Sequence, residues 1–600
     1  MDGQKLEYKG EKALKEIEKL TTDADKVQEK ILKEILTRNA ETEYLSKFMD
    51  KGYCYKDHLS LLFKRCVPVI TYKHIQPYIQ RIANGEDSSL ITGHPITEML
   101  CSSGTSAGEP KMMPSIAEDL DRRTFLYNLI MPIMNQYVPD LDEGKAMYFY
   151  FVKAEMSTPC GLPARTVLTS FYKSKHFKCR ALDPFNDYTS PDQTILCNDS
   201  IQSMYCQLLA GLVHRKQVLR LGAVFASAFL RAISFLERNW VKLCNDIRSG
   251  QLDPTITDPE CRSSMSAIML LLPDPCLADE IRDICSRPSW KGILRLLWPK
   301  AKYIEAVVTG SMSQYIPSLD YYSDGELPLA CTMYASSECY FGVNLTPLCD
   351  PADVAFTLLP NMGYFEFIPL SENGTLLMDN IDEEEEVPKD KLVDLVHVKL
   401  GCYYELVVTT FAGLYRYRIG DVLQVSGFHN KAPQFRFICR RNVVLSIDND
   451  KTNEEDLHKS ISVAKKLLEP HNALLVEYTS FADASRVPGH YVLYWEILHL
   501  NHNVVVDDKV LQECCIAVEE QLDYIYRRCR AYDKSVGPLE IRVVKPRTFE
   551  ALMDLFINQG GSINQYKTPR CINSNTAALN LLDSNVKACY FSPRDPMWIP

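Results

Sequence analysis

Apolar residues recur at helical spacing near the start of the chain: Leu14, Ile17 and Leu20, then Val27, Ile31, Leu32, Ile35 and Leu36, with charges between them. Thr22-Asp23 interrupts the series, so two amphipathic helices are expected to open the fold. The middle mixes helical stretches with short strands and holds two expected loops, at 187–193 and at the acidic, solvated run 382–386. From Val396 the pattern becomes alternating and β-branched. It predicts strands over 396–400, 403–410, 414–419 and 422–428, with Ala412-Gly413 and Gly420-Asp421 as turns and Asp421 at a strand junction. Past Arg440-Arg441 the order changes to a strand over 443–447, a helix from Asn453, strands near Leu474 and over 491–497, a helix from Asp507, a strand over 539–544 and a helix from Thr548. The pattern is that of a mixed α/β (α+β) chain without internal repeats, divided into an N-terminal domain of residues 1–435 and a C-terminal domain of residues 436–600.

With 600 residues, 46% of them hydrophobic, the chain has material for more than one core. Its formal net charge of -11 argues against a nucleic-acid partner. The Lys- and Glu-rich start lacks the apolar stretch of a signal peptide, and runs such as 267–272 are too short to span a bilayer, so no membrane partner and a cytoplasmic location are expected. The 21 cysteines show no paired C-x-x-C spacing, which suggests reduced thiols rather than a zinc site or a disulfide framework. The sequons at Asn198, Asn344 and Asn373 are then idle.

Three segments carry candidate chemistry. The first is Ser102-Ser-Gly-Thr-Ser-Ala-Gly-Glu-Pro-Lys-Met-Met-Pro114, between a strand over 96–101 and a helix from Ile116. Gly104 and Gly108 permit close backbone approach to an anion, Ser102, Ser103, Thr105 and Ser106 offer hydroxyl donors, and Lys111 offers a point charge. It is not a Walker A loop, since the lysine is not preceded by glycine. It also matches G-x-S-x-G, which would make Ser106 the nucleophile of a hydrolase, and the plainest reading is a polar surface loop. The second is Thr332-Met-Tyr-Ala-Ser-Ser-Glu338, where Glu338 is an oxygen ligand suited to Mg²⁺ or simply the end of a half-buried strand. The third is Tyr415-Arg-Tyr-Arg-Ile-Gly-Asp421. On a strand, Tyr415 and Tyr417 share one face and Arg416 and Arg418 the other, leaving Asp421 to accept from ribose hydroxyls; a salt-bridge ladder is the alternative.

Taken in this order, the three segments resemble the nucleotide motifs of the Gretchen Hagen family of plant acyl-acid amido synthetases, within the firefly-luciferase-like adenylate-forming enzymes. The resemblance extends from Leu36-Thr-Arg-Asn to Gln565-Tyr-Lys-Thr-Pro-Arg570 and is closest to the auxin-conjugating branch. It implies a large N-terminal domain with a β-barrel and flanking sheets and helices, and a smaller α/β C-terminal domain that rotates. It also implies ATP and Mg²⁺ as cofactors. Ser102, Ser103, Thr105, Ser106 and Lys111 then line the phosphate loop, Tyr334, Ala335 and Ser336 lie by the adenine, Glu338 holds the metal, Asp421 takes the ribose, and Lys567 reaches the phosphates. Arg123 and Tyr340 match positions that hold the acid's carboxylate, and Ile130, Val167, Leu168, Met333 and Ala335 match its apolar walls.

The implied function is conjugation of an amino acid, with aspartate the first expectation, to indole-3-acetic acid through an acyl-adenylate, by a monomer and with control of free auxin as its consequence. A coenzyme A ligase using the same first step, a Ser106 hydrolase and a catalytically silent auxin-binding module are the rival readings. None of the 12 histidines sits in a motif that nominates the base for the amine proton.

Overall fold

The computed structural model describes residues 10–50, 58–101, 111–153, 155–182, 184–269, 273–370, 391–440, 443–447, 450, 452–485, 488–500, 506–559, 562–563, 566–572 and 576–598. The chain divides into two compact units. The first comprises residues 1–309, 319–437 and 562–565, and the second comprises residues 310–318, 438–561 and 566–600. No helix of the described residues is long and apolar enough to cross a membrane.

The first unit opens with the expected helices, Gly10–Thr22 and Ala24–Arg38. Ile17, Leu20, Ile31, Leu32, Ile35 and Leu36 of their apolar stripe are buried, and Gln28 ties the second helix to a sheet by donating to the Pro360 and Gly363 carbonyls and accepting from the Phe365 amide. Strand Ile96–Cys101 pairs antiparallel with Met112–Ile116 and parallel with Pro163–Arg165. A second sheet aligns Lys145–Phe149, Val218–Phe225, Tyr303–Val307 and Leu329–Ala330, all parallel and almost wholly buried, as continuous apolar strands covered by helices are.

The largest sheet has eight strands in the order Val393–Asp394, Tyr364–Leu370, Tyr403–Thr409, Tyr417–His429, Ala432–Arg440, Phe356–Leu358, Tyr340–Val343 and Met333–Ala335. Among the described residues its two end strands do not pair with each other.

The structure departs from several of these expectations. The run 396–400 is not a strand: Leu395–His397 forms a 3₁₀ turn, because a short β-branched run without cross-strand partners has no ladder to join. The two strands expected over 414–419 and 422–428 are one, Tyr417–His429, which runs through Gly420 at φ +83. Arg416 just ahead of it sits at φ +46, so the face alternation expected for Tyr415 to Arg418 breaks there. Asp421 therefore lies inside a strand, beside a glycine with positive φ, rather than at a junction. The turn at Ala412-Gly413 is present: Gly413 has φ +99, and a Cβ there would stand 2.5 Å from the Ile91 carbonyl oxygen. The expected loop 187–193 is tighter than a loop, since Tyr188 bridges to Ala146 and a helix starts at Asp192. The acidic run 382–386 lies outside the described residues.

The second unit carries the four-stranded sheet Ala473–Asp483, His490–His499, Glu540–Val544 and Val586–Phe591, in that order. Asn453 and Asp507 cap helices Glu454–Ala464 and Asp508–Gln521 by accepting from the Asp456 and Lys509 amides, as their positions before apolar runs predict. Leu457, Tyr478, Tyr491, Trp495, Leu511 and Val518 belong to its core.

Candidate active site

The strands on either side of residues 102–110 pair antiparallel, with Cys101 opposite Met112. Ser102, Ser103, Thr105 and Ser106 lie outside the described residues. The segment after them is nevertheless informative, because residues 112–116 are a strand and the helix begins only at Ala117. A nucleophile elbow is a strand turning directly into a helix, whereas the described residues that follow this segment open with a strand. Lys111 is half-buried, with its ammonium 5.5 Å from the centre of the Tyr72 ring, while the Tyr72 hydroxyl accepts from the Met112 amide.

Helix Ala117–Met134 places Arg123, Tyr127 and Ile130 at i, i+4 and i+7, hence on one face. Arg123 is buried at 6% exposure. Its Nη2 donates to Ser115 Oγ at 3.0 Å, but Nη1 has no hydrogen-bond partner among the described residues. The nearest carboxylate, Glu98, is 4.0 Å from Nη1 and is already engaged by Arg165 at 2.7 Å and by the Ser170 hydroxyl at 2.7 Å. A guanidinium held in the interior with an idle donor, and with its nearest carboxylate shared with Arg165, is suited to an incoming carboxylate.

The surroundings are apolar and aromatic. Tyr127 stacks on Phe171 with 4.4 Å between ring centroids, and its hydroxyl lies 3.2 Å from that of Tyr340. Burial raises the Tyr340 phenol above its ordinary value, an effect partly offset by the Arg123 charge and the Tyr127 hydrogen bond, so it is a neutral hydroxyl at physiological pH. Val167 and Leu168 begin helix Val167–Lys173, whose Ser170 is tied to Glu98. Both are buried, and Met333 packs against the cluster containing Ile130 and Met131.

Met333–Ala335 and Tyr340–Val343 form a hairpin in which Ala335 faces Tyr340. Its tip is closed by the Ser336 amide donating to the Cys339 carbonyl and the Glu338 amide donating to Ser336 Oγ. Ala335 is exposed, and Ser336 and Glu338 are half-buried. Ser336 and Glu338 offer a hydroxyl and a carboxylate, the oxygen donors that Mg²⁺ prefers. Tyr334 points the other way: its ring lies 4.7 Å from Phe341 in a stack, and its hydroxyl donates to Asp421 Oδ2 at 2.6 Å. The second and third motifs thus meet at a buried carboxylate, an acceptor suited to sugar hydroxyls.

Arg416 and Arg418, by contrast, serve the fold. Arg416 grips Glu366 through two hydrogen bonds and donates to the Lys64 and Val67 carbonyls, and Arg418 grips Glu405. Lys567 is exposed and belongs to the second unit.

Sequence reasoning missed Glu98, Ser115, Tyr127, Arg165 and Ser170, which set the charge and reach of Arg123. Only Tyr127 had a local signal, its i+4 spacing from Arg123. Spacing also gave no hint of Cys197, Asp258 and Cys261, whose ligand atoms lie within 4.8 Å of one another, because Cys197 comes from a different part of the chain; the cluster shares no residue with the nucleotide motifs.

Family models match most of the chain: the GH3 family N-terminal domain over residues 13–329, the central domain over 356–440 and the C-terminal domain over 455–576. The GH3.9 protein of Arabidopsis thaliana is 69% identical over 601 residues, covering 100% of both chains. The indole-3-acetic acid-amido synthetase GH3.17 of Arabidopsis thaliana is 58% identical and covers 98% of both. Among solved structures, the GH3.15 acyl acid amido synthetase is 46% identical, with a TM-score of 0.89 over 100% of this chain and 99% of that one. A 2-hydroxyisobutyryl-CoA ligase in the postadenylation state is 10% identical, with a TM-score of 0.50 over 94% of this chain and 90% of that one, a likeness of fold alone. Three matched domains and relatives alike over their whole length leave one conclusion: this chain belongs to the GH3 family.

Proposed function

We propose that the chain joins an amino acid to a plant hormone carboxylic acid, indole-3-acetic acid with aspartate as the first pair to test, through an acyl-adenylate made from ATP. The observation that carries the reading is the idle Nη1 of buried Arg123 among apolar and aromatic side chains. The names of relatives such as GH3.17 support the choice of acid.

A carboxylate is a poor acyl donor because its oxide will not leave. In the proposed first step Arg123 and the Tyr340 hydroxyl align the acid, one of its oxygens bonds to the α-phosphorus of ATP, and the bond to the bridging oxygen breaks to release pyrophosphate. Asp421, oriented by Tyr334, takes the ribose hydroxyls, and Lys111 and Lys567 offset phosphate charge. Mg²⁺, held by Glu338, supplies charge neutralisation at the phosphates when bound. In the second step the C-terminal unit turns, the neutral amine of the amino acid bonds to the acyl carbon, AMP leaves and the amine gives up a proton, which leaves an amide. The reading includes action in the cytoplasm as a monomer.

The test is mass spectrometry after incubation with Mg-ATP, a panel of plant acids and all the common amino acids. An amide of indole-3-acetic acid together with AMP supports the proposal. Turnover of that acid without loss of ATP, or a product formed only with coenzyme A, overturns it.

A further inference from the structure

Lys567 is followed by a stretch anchored by side-chain and backbone hydrogen bonds. Thr568 and Arg570 are buried at 3% and 4% exposure, while the lysine beside them is exposed. Both converge on one carboxylate. Glu477 Oε2 accepts from Thr568 Oγ1 at 2.8 Å, and Oε1 accepts from Arg570 Nη1 at 2.7 Å. Glu477 Oε1 also accepts from the Tyr478 amide at 2.9 Å, and Oε2 accepts from the Tyr315 hydroxyl. Four donors fill the acceptor capacity of a carboxylate, and Glu477 is itself only 5% exposed.

The strand is shaped for this. The ladder between Ala473–Asp483 and His490–His499 shifts register between Leu475 and Glu477, a bulge that re-aims a side chain. Further along the same strand, Thr479 Oγ1 donates to the Pro569 carbonyl at 2.5 Å, the Ser480 amide donates to the Arg570 carbonyl at 2.9 Å, and the Ile572 amide returns to the Ser480 carbonyl at 2.9 Å. Arg570 lies over the Tyr478 ring at 4.4 Å. The fourth donor, Tyr315, comes from residues 310–318, an early piece of the chain that groups with the C-terminal unit.

We propose that Glu477 is a positioning residue for Lys567: it locks Thr568 and Arg570 to the strand, so that the preceding lysine is presented from a fixed base, and Tyr315 completes that lock. The inference rests on the amido-synthetase reading and on its use of Lys567. It adds that a buried carboxylate, which never touches substrate, sets the rate of adenylation through the lysine.

The experiment is a double-mutant cycle in the full-length protein, read by acid-dependent exchange of labelled pyrophosphate into ATP. Glu477→Gln keeps the size and removes the charge on which Arg570 depends. The expected result is a fall of about tenfold in the saturated exchange rate with KM for the acid unchanged, since Arg123 is untouched. In a Lys567→Ala background the same change is expected to cost less than about twofold, because the group it positions is gone. A merely structural role would lower the rate by the same factor in both backgrounds; that result, or unchanged exchange in Glu477→Gln, overturns the proposal. If Glu477→Gln does not fold, Tyr315→Phe takes its place in the cycle, with about threefold expected beside Lys567 and no effect without it. Wild-type protein that exchanges no pyrophosphate overturns the underlying functional reading instead, and the two failures are distinct.

Discussion

Arg416 and Arg123 are both withdrawn from water, at 0% and 6% exposure, and both lie in segments that sequence reasoning singles out. They differ in what surrounds the guanidinium. Arg416 has Glu366 at hydrogen-bond distance from two of its nitrogens and two backbone carbonyls on the third. Arg123 has one hydroxyl, an idle Nη1, and a carboxylate that Arg165 has already claimed. A buried charge that is fully paired stabilises the fold around it; one left with an open donor costs stability and retains the capacity to bind.

The largest effect expected from this contrast is on stability. Arg416→Met leaves Glu366 buried without its partner and should cost about 3–5 kcal/mol in a denaturant titration, while adding Glu366→Leu should restore most of the loss. Arg123→Leu is expected to behave in the opposite way, with the denaturation midpoint nearly unchanged and kcat/KM for the acid lowered about 100-fold, a loss of about 2.7 kcal/mol in transition-state binding. Similar stability losses in both variants would dissolve the distinction.

How much of this was legible in the chain differs by region. The opening helices, the capped helices from Asn453 and Asp507 and three strands of the C-terminal sheet follow from periodicity and caps, which are local signals; the fourth strand, Val586–Phe591, was not read from the sequence. Tyr415 to Asp421 misled at the level of the face pattern, because alternation assumes extended backbone and Arg416 is left-handed at φ +46. The 396–400 run misled because β-branched residues without a partner strand have no ladder to join. The charge environment of Arg123 could not be read at all: Glu98, Ser115 and Arg165 come from three strands, and only the sheet brings them together.

A third basic group sharpens the comparison from the side of protonation. His458, in the C-terminal unit, is paired with the Ser313 and Tyr478 hydroxyls. Burial, together with the charges of Arg570 and Lys465, brings it from 6.5 down to about 4. The folded value lies below the unfolded one, so its contribution is complete above about pH 6.5 and is lost as the pH falls toward 4. At most about 3 kcal/mol should disappear over that window, and His458→Gln should flatten that part of the curve. A stability profile identical in wild type and variant would show that this histidine is not held neutral.

The smallest effect is at the edge of the proposed acid pocket. Tyr127→Phe removes only the hydroxyl that steadies Tyr340, and is expected to raise KM for the acid about fivefold, near 1 kcal/mol, with kcat little changed. A fall in kcat alone would assign Tyr340 to the transition state rather than to holding the acid.

The most direct test is calorimetric titration of the protein, saturated with a non-hydrolysable ATP analogue, with indole-3-acetic acid and with its uncharged amide, indole-3-acetamide. Wild type should bind the acid at least about tenfold more tightly, and Arg123→Leu should bind the two alike. Equal affinity for acid and amide in the wild type would contradict the assignment of the idle guanidinium nitrogen to the substrate carboxylate.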